Sequence, residues 1–306
     1  MEQGQRRGDS NRITREYFDS LLIEMRHIDA VIPDTRFTLY GETFSTPIMT
    51  AALSHLDKFG FHKNGMVELA KGAKAANAVL WAGMGSYEEL EGIIETGAKT
   101  IKIVKPEADN DIVLRKIAHA ESLGCIAVGI DLDHAFNQTG KYDEIEKMPM
   151  RPKSLNELKQ FVNATKLPFI VKGVLSVQDA LKCMEAGVQG IVISHHHGIM
   201  DYAVPPLMIL PKIVEAINYK IDGKMQIFVD CVIESGFDTF KALALGATAV
   251  SAGQRLLKSL SEKGATGVKE ALEEMTGQLA GTMARTCSPN ITNIDRSLIY
   301  PMTFCH

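Results

Sequence analysis

No stretch of this 306-residue chain approaches the about 20 consecutive apolar residues that a membrane-spanning helix needs. Its opening segment, MEQGQRRGDSNR, is polar and lacks the apolar core of a secretory signal, so nothing in it predicts export. Cysteine is scarce: Cys125, Cys183, Cys231, Cys287 and Cys305 are odd in number and show no metal-type spacing. That argues against a disulfide framework and predicts a reduced, cytoplasmic chain. A net charge of only −4 gives no electrostatic reason to expect nucleic acid or an anionic membrane as partner. The early glycine-rich phosphate loop of doubly wound nucleotide folds is also missing.

What is present is ordinary globular material, 45% hydrophobic and 23% charged, enough for one large α/β barrel or two average domains. Polarity and charge predict a disordered tail over residues 1–14 and place the folded domain at 15–306. Ile28 to Phe44 reads as a lead-in hairpin turning at Gly41-Glu42. From Pro47 onward one theme repeats: apolar strand, polar loop, helix, glycine, next strand. The strands are predicted at Ile48–Ala52, Val79–Gly83, Thr100–Val104, Ile126–Asp131, Phe169–Lys172, Gly190–Ser194, Gln226–Asp230 and Ala249–Ala252. Most show no polar alternation, as expected for strands buried on both faces. Ser86 with Glu89, Ser154 with Glu157 and Ser176 with Asp179 are helix-capping pairs, and Gly97, Gly124, Gly187 and Gly246 stand where helices end. Val268 to Met283 carries an apolar stripe of Leu272, Met275, Leu279 and Met283. Together these predict a single (β/α)8 TIM barrel. The connection from Leu132 to Lys153 is too long for an ordinary βα loop and reads either as a lid or as a disordered insertion.

Phe169 to Val204 is the most informative stretch. Two apolar strands flank a capped helix, and they end on Lys172-Gly173 and on Ser194 followed by His195, His196 and His197. Parallel α/β folds keep their chemistry at such strand ends. The same mouth would collect Ser54, His55, Lys102, Asp131, Asp133, His134, Asp230, Cys231, Gln254 and Arg255. Three chemistries compete for it. Lys172 stabilises negative charge developing on a bound ring or enolate while a histidine acts as base. Alternatively Asp131, Asp133, His195 and His197, paired two apart on their strands, hold a divalent transition metal. Or Cys231 is a nucleophile, against which stands the commoner role of buried cysteine as a small apolar residue.

The strings TPIM (Thr46–Met49), LPFIVKGVLSVQDAL (Leu167–Leu181), EAGVQGIVIS (Glu185–Ser194), LPKIVEAI (Leu210–Ile217) and FKALALGATAV (Phe240–Val250) resemble the FMN-dependent α-hydroxy acid oxidases and dehydrogenases. The similarity runs from about Ile28 to Ile299. It implies a TIM barrel, FMN as cofactor and a homo-oligomer. It also implies that Lys172 contacts the flavin pyrimidine end, that Ser194 and Asp230 contact the flavin and its ribityl chain, and that His196 is the base. Gly253, Gln254, Arg255 and the backbone of Ser235-Gly236 are the phosphate candidates. Departures are equally specific. Ile199 stands where the family has the arginine that clamps the substrate carboxylate, and Glu234 and Gln254 replace phosphate-binding arginines. Lys102 and Val104 replace a glutamine and a tyrosine, and Gly129 replaces a threonine.

The sequence therefore predicts an FMN-dependent oxidoreductase acting on CH–OH groups of an altered small-molecule substrate, with Lys102, His195 or His197 touching it. Two other readings remain: a flavin-free metal-dependent hydrolase or lyase using Asp131, Asp133, His195 and His197, and a non-catalytic ligand-binding barrel.

Overall fold

The computed structural model describes residues 7–57, 64–218 and 225–302. Eight parallel strands form one sheet: β1 (Ile48–Thr50), β2 (Leu80–Ala82), β3 (Thr100–Val104), β4 (Ala127–Asp131), β5 (Phe169–Val174), β6 (Gly190–Ile193), β7 (Gln226–Val229) and β8 (Ala249–Ala252). Neighbours in sequence are neighbours in space, and β8 pairs with β1. A bridge from Leu53 to Ala82 joins β1 to β2 and closes the barrel. All eight predicted strands are present, with ends shifted by at most two residues.

The described α-helices are α1 (Ser10–Asp19), α2 (Gly65–Ala75), α3 (Tyr87–Glu95), α4 (Asn110–Ser122), α5 (Leu155–Asn163), α6 (Val177–Glu185), α7 (Pro206–Asn218), α8 (Gly236–Ala244) and α9 (Gln254–Ala284), and they follow their punctuation. Ser86 and Ser176 accept from the backbone N–H three residues on, and Ser154 with Glu157 forms a complete capping box. Gly97, Gly124, Gly187 and Gly246 all carry positive φ just past a helix end, where a side chain would be strained. The stripe of Leu272, Met275, Leu279 and Met283 is buried on α9 (Gln254–Ala284), which kinks at Gly264.

Two apolar layers result. One lies between strands and helices. The other fills the barrel and includes Met49, Trp81, Ile101, Ile103, Ala127, Ile170, Val192 and Phe228. The predicted hairpin (Phe37–Leu39 with Glu42–Phe44) turns at Tyr40-Gly41, and its Phe37, Leu39 and Phe44 join that inner layer, packing with it as a plug. The barrel is tight at Gly129: a Cβ there would lie 2.2 Å from the Ile170 carbonyl oxygen and 2.9 Å from Ile103 Cδ1. A threonine cannot be restored at this position without moving the backbone.

One expectation fails outright. Residues 1–6 lie outside the described residues, but disorder does not extend to residue 14: helix α1 (Ser10–Asp19) begins at Ser10, capped by Asp9. Ser10, Thr14 and Phe18 share its buried face. Arg15 pairs bidentately with buried Asp238 at 2.8 and 3.0 Å, and Lys241 donates to the Phe18 carbonyl at 2.7 Å. The Leu132–Lys153 connection is also folded. It holds a 3-10 turn (Asp133–Ala135), a small hairpin (Glu144–Ile145 with Met148–Pro149) and the fully buried Met150.

Candidate active site at the barrel mouth

Strand parity decides which side chains reach the mouth. Ile101 and Ile103 face the barrel interior, so Lys105 does too and Lys102 does not. Lys102 points outward beneath the flanking helices and donates to the Gly83 carbonyl. Burial there pushes its pKa down to about 8. Its expected place at the substrate is therefore wrong.

Several of the other strand ends meet at the mouth. Lys172 on β5 is buried, with Nζ 3.6 Å from Asp131, 3.9 Å from Asp133 and 3.7 Å from Asp230. Burial acts to lower its pKa, but these three carboxylates outweigh it and raise the pKa above that of an ordinary lysine. Asp131 is likewise held well below the usual carboxylate range: burial opposes this, and Lys172, His196 and Lys105 overcome it. Lys105 Nζ sits 2.8 Å from Asp131 Oδ2.

His196 meets this cluster directly. Its Nδ1 lies 2.7 Å from Asp133 Oδ1, 3.4 Å from Asp131 and 3.0 Å from Lys172 Nζ. Burial and Lys172 pull its pKa down, yet the two aspartates prevail and raise it. Ser194 Oγ accepts from the His196 backbone N–H at 3.0 Å. Lys172, Ser194, His196 and Asp230 thus gather at one mouth.

The three histidines do not alternate as strand residues would. The strand ends at Ile193, and His196, His197 and Gly198 all take positive φ. His195 is buried away from the mouth, against α1: its Nε2 contacts Thr14 Oγ1 at 2.8 Å and its Nδ1 accepts from the Gly198 N–H at 2.9 Å. It is neither a substrate contact nor a metal ligand. His197 lines the mouth cleft and touches Gln254 at 3.1 Å. The expected quartet of Asp131, Asp133, His195 and His197 is therefore not assembled. The group that does lie together, donor atoms within 4.8 Å, is Asp131, Asp133, His134 and His196. The ammoniums of Lys172 and Lys105 already answer its carboxylates.

His134 belonged to the predicted mouth but had no assigned role. Its Nε2 lies 3.0 Å from His196 Nε2 and its Nδ1 3.3 Å from Asp143 Oδ2, with the two rings nearly perpendicular. Asp143 comes from the folded insertion, so no strand pattern pointed to it.

Other candidates separate. Arg255 turns outward to Glu274. The Ser235 side chain caps α8 (Gly236–Ala244), and the Gly236 N–H is taken by Gln278 at 2.9 Å, so that N–H is not available to phosphate. Glu234, which stands where the family has a phosphate-binding arginine, is exposed and does not line the cleft. Cys231 has its thiol pushed far up by burial and by Asp230, to which it donates at 2.9 Å, the opposite of an activated nucleophile.

A cleft runs from Lys172 past Asp230 and Ser251 to Gly253 and Gln254. At its far end α9 starts on Gly253 without a side-chain cap, and the Gln254 and Arg255 N–H groups bond to no described residue. Cys231 and Val232 both have positive φ beside it. Successive N–H groups in such a turn, together with a helix N-terminus, form an anion seat.

The sequence matches the family model "FMN-dependent dehydrogenase" over residues 1–161 and 151–301. Human 2-hydroxyacid oxidase 2 is 30% identical, the alignment covering 95% of this chain and 91% of the relative. Spinach glycolate oxidase is 28% identical over 93% and 86%. A solved mandelate oxidase structure superposes with a TM-score of 0.87 at 26% identity, covering 97% of this chain and 91% of that one. No described helix is long and apolar enough to cross a membrane. Fold, mouth and sequence agree: the chain is an oxidoreductase belonging to the FMN-dependent dehydrogenase family.

Proposed function

We propose that this chain holds FMN along the cleft and oxidises a CH–OH group in a substrate that carries no carboxylate at the position usual for the family. The carrying observation is the meeting of Lys172 and His196, 3.0 Å apart, at the mouth of the cleft.

The donors suit the cofactor. Lys172 offers an ammonium to the pyrimidine end of the ring, Ser194 and Asp230 offer hydrogen-bonding groups, and Gly253 leaves backbone room. At the other end the uncapped start of α9 and the Cys231–Ile233 turn offer N–H groups in place of the arginines replaced by Glu234 and Gln254. The cleft encloses about 210 Å³, less than the ~300–1,000 Å³ usual for such sites, so its lining has to open further to seat a whole nucleotide. When bound, FMN supplies an acceptor for an electron pair. His196 would take the hydroxyl proton, Asp133 and Asp131 would orient its ring and favour the imidazolium that results, and Lys172 would hold a fixed positive charge beside the cofactor.

The substrate class follows from pairing. Ile199 replaces the clamping arginine, Lys102 faces away, and Lys105 and Lys172 are bound to aspartates. Every described cation at the mouth is thus already partnered, which favours a neutral substrate. The free thiols of Cys125, Cys183, Cys231 and Cys287 support a cytoplasmic location. A homo-oligomer is supported by family membership and by exposed Leu22, Met25 and Phe237 lining one groove.

Anaerobic mixing of the flavin-loaded protein with 2-hydroxy acids and their neutral amides tests this reading. The amides are expected to bleach the flavin faster, and His196→Ala to stop bleaching. Faster bleaching by the acids, or normal bleaching in the variant, contradicts it.

A further inference from the structure

The two facing imidazoles raise a question of proton accounting. Carboxylates only accept, so Asp133 at 2.7 Å from His196 Nδ1 and Asp143 at 3.3 Å from His134 Nδ1 each call for a hydrogen on that nitrogen; the Lys172 ammonium, which only donates, lies 3.0 Å from His196 Nδ1 and opposes this, and the closer carboxylate decides it. A neutral imidazole has one N–H. Two neutral rings would then oppose bare Nε2 lone pairs at 3.0 Å, so a cation has to lie between them. A metal dication is disfavoured there because Lys172 Nζ stands within 3.9 Å of both Asp131 and Asp133. A proton suffices, shared as N–H···N.

We propose that His134 and Asp143 are the proton outlet of His196: the Nε2 proton of His196 passes to His134 Nε2 while the Nδ1 proton of His134 passes to Asp143 and on to solvent. One proton enters the His134 ring and one leaves, so that ring stays neutral overall, and it resets when Nε2 gives up its proton to solvent and Nδ1 takes one back through Asp143. The groups facing the pair are Lys105, Lys172, Asp131, Asp133 and Asp143, with Asp230 behind Lys172. Their balance keeps the resting proton on His196, because burial and Lys105 lower the His134 pKa whereas the aspartates raise that of His196. A base that rests protonated must lose that proton before it can act, and Asp143, about a quarter exposed, is the carboxylate toward solvent. His134 acts through His196 and is a positioning residue. The proposal rests on His196 being the base.

The test is long-range ¹H–¹⁵N spectroscopy of the whole protein labelled at histidine, followed over about pH 5–9, with rings assigned by His134→Gln and His196→Gln. His134 is expected as the neutral Nδ1–H tautomer. In His134→Ala the His196 midpoint should fall by about one pH unit, since the imidazolium loses an acceptor. Asp143→Ala should convert His134 to the Nε2–H tautomer. Unchanged signals from the other seven of the nine histidines report an intact fold. A His134 already in the Nε2–H tautomer, or an unmoved His196 midpoint, overturns the proposal. So does a pattern that disappears with EDTA, which would identify a metal. The spectra need neither substrate nor flavin, so a protein that shows these tautomers yet never reduces flavin would defeat the proposed function and not the proton path.

Discussion

Replacing Lys172 by Met removes the one charge that three buried carboxylates share. Asp131, Asp133 and Asp230 lie 3.6, 3.9 and 3.7 Å from its Nζ. At an effective dielectric constant of about 20, each such pair is worth roughly 4 kcal/mol before desolvation. Those gross attractions offset the burial of the ammonium itself, so the net loss is that of breaking one buried ion pair, about 3–5 kcal/mol. For a chain of this length that is roughly 5–8 °C of melting temperature. The loss should depend on pH. Asp131 has a depressed pKa in the folded state, so its contribution is present above the unfolded value near ~3.9 and fades as pH falls. Lys172, with a raised pKa, contributes fully below its unfolded value near ~10.4, so it does not titrate in this window. Thermal melts of both proteins should therefore differ most near pH 7 and converge only as pH falls below ~3.9 and Asp131 protonates in the folded state. A variant within about 1 kcal/mol of the wild type at neutral pH, or a gap that stays constant on acidification, refutes this electrostatic account.

Lys102 gives the opposite signature. Its folded pKa is pushed down to about 8, so between there and ~10.4 the unfolded chain binds more protons and stability should rise with pH. Lys102→Met should lose that rise, seen as a wild-type advantage in denaturation midpoints growing toward pH ~10, while flavin reduction is unaffected. Thr14→Val leaves the buried His195 Nε2 without its partner and should cost about 1–3 kcal/mol by urea unfolding. No measurable change would mean that α1 does not anchor the histidine run.

The barrel was legible because its signals are local and agree with one another. Apolar runs ended in polar residues, capping serines stood three before an acid, and glycines fell where helices close. What escaped was orientation. In TIKIV every residue is buried, so no alternation shows whether Lys102 or Lys105 faces inward; the barrel's filling by Ile101 and Ile103 decides it. The histidine run read as strand, but three successive left-handed residues turn His195 outward and leave His196 at the mouth. Helix α1 hid because Ser10 and Thr14 occupy its buried face, where sequence patterns look for apolar side chains. The contact of His134 with Asp143 escaped because the insertion brings that carboxylate back nine residues later.

Everything chemical here depends on one seat that takes Lys172 and the start of α9 as its two ends. Purifying the protein, adding FMN, removing the excess and measuring the flavin released on denaturation tests that directly. The account predicts one FMN per chain, with markedly weaker retention in Lys172→Met. Wild-type protein that stays colourless and releases none contradicts it.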